Sequence, residues 1–158
     1  MNKAHFLKTE KTWFVAARIF MGAVFLYASY DKILNPQAFA EAVYNYQILP
    51  DFAVNATALV LPWIELIAGI CLITGVWIPG AAMLSALLMC VFTAALVFNQ
   101  IRGLDVHCGC FSTEASHGPA NLLTVIRDTF FLAVSVYLLV RAVFAPLGKA
   151  GDTTGRAA

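Results

Sequence analysis

The 158-residue chain is 61% hydrophobic and only 12% charged, with a formal net charge of +1. Soluble domains carry about a quarter charged residues, so this composition excludes an ordinary water-soluble globule and favours a membrane protein whose apolar surface is buried by lipid. There is no basic stripe to neutralise phosphates, which excludes a nucleic-acid partner.

A bilayer-crossing helix needs about 20 predominantly apolar residues, and four runs reach that length. A basic arm, residues 1–11 with Lys3, Lys8 and Lys11, leads into the first run at 12–30, "TWFVAARIFMGAVFLYASY". Its length, the interruption by Arg18 and the lack of a small-x-small site after it are expected of an uncleaved helix rather than a signal peptide. The connection that follows, "NPQAFAEAVYNYQILPD", predicts a short helix between Pro36 and Pro50. Phe39, Val43, Tyr46 and Ile48 would form one face of it, lying flat at the interface with Tyr44 and Tyr46 at headgroup level. The second run, 53–75, contains "VLPWIELIAGICLITG". Pro62, three residues before Glu65, would loosen that helix and free a carbonyl. The tight turn "GVWIPG" leads to the third run, 78–99, and the fourth occupies 119–144. The tail 146–158 is small and polar and is expected to be disordered.

Spanning segments must satisfy their backbone internally, so all four runs are read as helices. The expected fold is an all-α, four-transmembrane-helix bundle with one domain over residues 12–145. Gly22, Ala23, Gly69 and Gly80 with Ala81 would permit close helix approach. Lys and Arg near span ends set orientation. The two ends of the chain hold Lys3, Lys8, Lys11, Arg141, Lys149 and Arg156, while the longer connections hold only Lys32 and Arg102. Both termini are therefore expected in the cytoplasm, and residues 105–118 outside it.

That segment, "DVHCGCFSTEASHG", holds two of the four cysteines and two of the three histidines. Outside the cytoplasm a disulfide can form and persist. A Cys108–Cys110 bond closes a very small ring, for which Gly109 supplies backbone freedom. Its geometry would depart from the relaxed range, and strained disulfides are the labile, oxidising ones. So small a ring removes little chain entropy and serves a purely structural purpose poorly. Protonated His107 would favour the Cys108 thiolate, as would the start of a fourth helix at Pro119; Asp105 and Glu114 act in the opposite sense. Three readings stay open: a redox-active dithiol, a metal clamp of His107, Cys108, Cys110 and His117, and a static staple or free thiols. The clamp has ligand types that suit zinc or copper but lacks the usual Cys-x2-Cys spacing. Cys71 and Cys90 lie within runs and are expected to be packing residues.

Arg18, Glu65, Arg127 and Asp128 fall inside spans, where an unpaired charge costs at least a few kcal/mol. The expectation is a buried polar cluster of Glu65 with Arg18 or Arg127, and Asp128 nearby. Such a cluster would serve either as a proton or quinone-headgroup site, or as an ion pair fixing helix register with Arg18 partly snorkelling.

Taken in order, "ARIFMGAVFLYASYDKILNPQAF", "LPWIELIAGICLITG", "RGLDVHCGCF" and an "RD" in the fourth run resemble the DoxX-like membrane proteins, and within them the methylamine-utilisation MauE branch. The likeness covers residues 12–145 and rests on the order of Arg18, Lys32, Glu65, the Cys-Gly-Cys and Arg127. Ser29 and Ser112 depart from it, each standing where a glycine is common. The resemblance implies a four-helix bundle of the bacterial inner membrane. It also implies a part in maturing the disulfide-rich small subunit of methylamine dehydrogenase, alongside a periplasmic thioredoxin-like partner. The wider family includes a subunit of a thiosulfate:quinone oxidoreductase, which makes a quinone the candidate cofactor. A family likeness bounds function without fixing the substrate. The expectation is a redox accessory whose Cys108 and Cys110 exchange thiols and disulfide with a periplasmic partner or client, His107 assisting the thiolate. Its competitors are a quinone-binding membrane subunit, a non-catalytic scaffold with a metal-bound or static loop, and a small-molecule transporter.

Overall fold

Along the first helix the buried side chains recur as Met21, Phe25, Ala28, Ser29 and Lys32, the three- and four-residue spacing of one helical face. The computed structural model describes the backbone of residues 3–103 and 122–150, with side chains described over 12–103 and 123–144. The order is α1 (Lys3–Leu34), α2 (Pro36–Asn45), α3 (Asp51–Thr74), α4 (Ile78–Ile101) and α5 (Leu122–Ala150), with no strand among the described residues.

Among the described residues, four helices are long and apolar enough to cross a membrane: Thr12–Leu34, Asp51–Thr74, Ile78–Ile101 and Leu123–Phe144. At 1.5 Å per residue they measure about 33–36 Å, enough for a hydrocarbon core of about 30 Å. At most 39% of any of these spans is buried within the protein. Leucines and phenylalanines cover the outward faces, so lipid rather than a larger protein core must solvate them. The exposed hydroxyls of Thr74 and Thr129 each donate to the carbonyl four residues back, at 2.8 and 2.7 Å, as polar groups facing hydrocarbon require.

Three helix ends differ from expectation. The first helix does not stop at Tyr30 but runs to Leu34, carrying Asp31 and Lys32 with it. At its other end it begins at Lys3, and α5 continues to Ala150, so residues 146–150 are helical rather than disordered. Extending a formed helix needs no new nucleus. The expected start of the fourth helix at Pro119 lies outside the described residues.

Pro36 opens α2 at the first helical position, where its missing N–H is no loss. Gly75 ends α3 with φ of 82° and donates its N–H to Cys71 O at 2.9 Å, a left-handed terminus that favours glycine. An added Cβ there would stand 2.5 Å from Arg18 Nη1. We therefore expect Gly75→Ala to lower stability by about 1–2 kcal/mol from backbone strain alone. Thermal unfolding in detergent measures this, and an unchanged midpoint would contradict it.

α1 packs chiefly on α3 and α4 on α5, with α2 resting on α3. Gly22 and Gly69 meet where α1 crosses α3, so close that a Cβ on either would approach the other's carbonyl oxygen at 2.9–3.0 Å. Gly80 instead admits the Trp77 indole, and Ala23 faces outward. Successive spans alternate in direction. The α3–α4 turn therefore shares one end of the bundle with the start of α1 and the end of α5. The opposite end receives α2, the end of α4 and the start of α5. Met21, Phe25, Leu72, Ala81, Ala82 and Leu138 form an apolar core in the half towards the turn.

Candidate functional site

From mid-bundle to the end that carries α2, the interior turns polar. Ser29, Lys32, Glu65, Asn99 and Asp128 are all buried there. Lys32 is the centre of this layer. Its position seven residues after Phe25 keeps it on the inward face of α1, and its long stem carries the ammonium to α3. Nζ donates to Glu65 Oε1 at 2.7 Å and to Oε2 at 2.9 Å. Both side chains are 1% exposed. The rings of Phe39 on α2 and Phe92 on α4 each lie 4.9 Å from Nζ. An ammonium has three donors. Two meet the carboxylate, and two aromatic faces take up the remaining positive field. One cation thus joins α1, α2, α3 and α4.

This arrangement corrects the expected cluster. Glu65 is buried in the middle of its span, but its partner is Lys32 and neither Arg18 nor Arg127. The sequence places Lys32 in the connection after the first run, because hydropathy falls at Asp31. The signal that would have placed it is the continuing spacing 21, 25, 28, 32. Arg18 is half-buried a long way along α1, with its guanidinium against Gly75. It lies where the carbonyl end of α3 concentrates partial negative charge, and among the described residues its Nε has no hydrogen-bond partner. Arg127 donates from Nε and Nη2 to Oδ1 of the adjacent Asp128, both at 3.0 Å. The arginine is 42% exposed and the aspartate 3%. Arg18 therefore stands at the α3–α4 turn, Glu65 pairs with Lys32, and Arg127 pairs with Asp128.

The chain's relationships agree with this architecture. A family model described as "Methylamine utilisation protein MauE" matches residues 10–141. The chain belongs to the MauE family. It is 34% identical over 122 residues to the methylamine utilization protein MauE of Paracoccus denitrificans, covering 77% of this chain and 65% of that protein. Identity to the MauE of Methylophilus methylotrophus is 31% over 123 residues, covering 77% and 65%. With the MauE of Paracoccus versutus it is 37% over 139 residues, covering 87% and 73%. The chain thus spans 65% of the length of the first two relatives. No solved structure matches it. Family membership and four apolar helices together make this a multi-pass membrane protein.

Within this MauE-family fold, Asn99 is a polar residue that sequence reasoning missed, because it falls at the expected end of the third span. It continues the inward stripe of Ser85, Met89, Phe92 and Leu96. It is fully buried, and among the described residues neither its Oδ1 nor its Nδ2 has a hydrogen-bond partner. Asn99 and Asp128 stand near the two helix ends that flank residues 104–121. His107, Cys108, Cys110 and His117 lie outside the described residues, so both the dithiol and the alternative metal set keep the standing that sequence gives them. Cys71 is half-buried against the core. Cys90 is exposed on the outward face of α4, which corrects its expected packing role.

Proposed function

We propose that this MauE-family protein is an inner-membrane accessory for methylamine utilisation. Cys108 and Cys110 form a periplasmic dithiol–disulfide couple, which exchanges with a thioredoxin-like partner during maturation of a disulfide-rich client such as the small subunit of methylamine dehydrogenase. The observation that carries the reading is a Cys-Gly-Cys between two spans of a chain matched by the MauE family over residues 10–141. The excess of Lys and Arg at the chain's two ends supports a periplasmic segment.

The chemistry is thiol–disulfide exchange. A thiolate of the pair attacks a client disulfide, forming one mixed S–S bond and releasing one client thiolate. The second cysteine then attacks the mixed bond, closing Cys108–Cys110 and freeing the second client thiolate. Two electrons pass to the client, and its thiolates take up two protons. The partner's dithiol returns the pair to its reduced state by the same steps, and the reverse sequence oxidises a client. His107 assists by favouring the thiolate. The Lys32–Glu65 pair acts as a structural pin, holding α1 to α3 beneath this chemistry.

Cys108→Ser and Cys110→Ser are each expected to abolish most of the active methylamine dehydrogenase in a methylamine-grown host, because each removes a nucleophile that the exchange requires, with unchanged amounts of the variant in the membrane. Differential maleimide labelling of acid-quenched cells would find the wild-type pair in a mixed redox population that shifts when the thioredoxin-like partner is deleted. Normal enzyme levels in both variants would overturn the reading.

A further inference from the structure

A cleft of about 400 Å³ opens between α2, α3 and α4, within the range of built ligand sites. Its walls are almost wholly apolar. Leu61 of α3 and Phe39 of α2 face Leu87, Val91, Phe92 and Ala95 of α4, and the polar exceptions, Thr57 and Tyr46, lie towards the α2 end. Leu87 to Ala95 marks a height of about 12 Å along α4. Leu87 and Val91 are 58% and 56% exposed on the outward face of a membrane span. The cleft is therefore continuous with the lipid-facing surface and opens sideways into hydrocarbon, not into water. α2 lies across its flank, so the cleft is a slot between helices.

We infer that this slot holds one acyl chain of a bilayer phospholipid as a resident element of the fold, with the lipid's polar part towards Thr57 and Tyr46. A linear chain fits because the slot runs along the spans and offers its polar groups at one end only. The deep wall explains why residence matters. Phe39 and Phe92, which line the slot, are the two rings within 4.9 Å of Lys32 Nζ. A resident chain backs those rings and keeps water from the buried ion pair.

The test uses the full chain in nanodiscs of phosphatidylcholine containing a small fraction of a phosphatidylcholine with a mid-chain diazirine. After irradiation, adducts are mapped by peptide mass spectrometry. Labelling at Leu87, Val91 and Leu61 is expected to exceed clearly that at the lipid-facing controls Ile126, Phe130 and Val136 and to saturate as the probe fraction rises, as a defined pocket differs from passing lipid. Ala95→Phe, which fills the slot, should bring labelling there down to the control level and leave the controls unchanged. Ala42→Leu fills it from α2 and serves if the first variant does not fold. Even labelling across all lipid-facing positions, or full labelling retained in a folded filled variant, would overturn the inference. So would loss of labelling at Leu87 and Val91 in nanodiscs that hold two copies of the chain but not in those that hold one, which would assign the slot to a second copy.

Discussion

Replacing Lys32 with methionine is expected to destabilise the folded bundle by about 3–5 kcal/mol, because it strands the Glu65 carboxylate in a site built for an ion pair. Glu65→Leu should do comparable damage from the other side, leaving an ammonium between two phenylalanine rings. The double replacement, Lys32→Met with Glu65→Leu, should recover most of the loss. Removing both charges also removes the desolvation that burying them required, and the apolar pair suits its aromatic neighbours. The direction follows from geometry: two hydrogen bonds of 2.7 and 2.9 Å join groups that are both 1% exposed, so water cannot take over for a missing partner. Reversible unfolding in mixed detergent micelles, read as a double-mutant cycle, isolates the coupling. The pair also lies beyond the reach of mobile ions, so the coupling should change little with salt, unlike that of a surface pair. Single variants that unfold at the wild-type midpoint would remove the pair from any structural role. A double variant that regains stability but not methylamine-dependent growth would add a functional one.

Gly22→Val and Gly69→Val are the second pair of large effects, each expected to cost about 1–3 kcal/mol by overpacking. A Cβ at Gly22 would stand 2.9 Å from Gly69 O and 2.6 Å from Ile73 Cγ1; one at Gly69 would stand 3.0 Å from Gly22 O. An isoleucine side chain can move aside, but a helix carbonyl cannot. The helices must therefore separate, which also lengthens the path from Lys32 to Glu65. Both substitutions force the same separation, so the double variant should cost clearly less than the sum of the two. Strict additivity would show that the glycines act independently and that the crossing is not shared. The same unfolding assay reads this, and Gly22→Ala should fall between wild type and valine.

The spans were legible because hydropathy is a long-wavelength signal: each run had the length and purity that a bilayer demands. α2 was legible from Pro36 and from the face carrying Phe39, Val43 and Tyr46. Two things were not. The first is azimuth. In a span the lipid side is as apolar as the packing side, so periodicity alone does not say that Cys90 points outward or that Asn99 points inward. Polar residues mark the interior only once their helical phase is traced. The second is the reach of a long side chain. Depth along the sequence suggested Arg18 or Arg127 for Glu65, yet Arg127 turns to its neighbour Asp128 and Arg18 to the end of α3. Lys32 begins near the end of its helix and descends to mid-bundle. Charge at a helix end reads as a boundary, although four methylenes can bring it back inside.

The separation of Lys32 and Glu65 along the chain also bears on how the protein is made. Their positions are 33 residues apart, and at 5–20 residues per second the ribosome takes about 2–7 s to cover that distance. During this interval α1 exists with a cation on its inward face and no carboxylate to meet it. The first helix by itself is therefore an incomplete membrane segment. Until α3 supplies Glu65, the Lys32 side chain is expected to snorkel towards the interface, so the ion pair closes only after α3 has entered the bilayer.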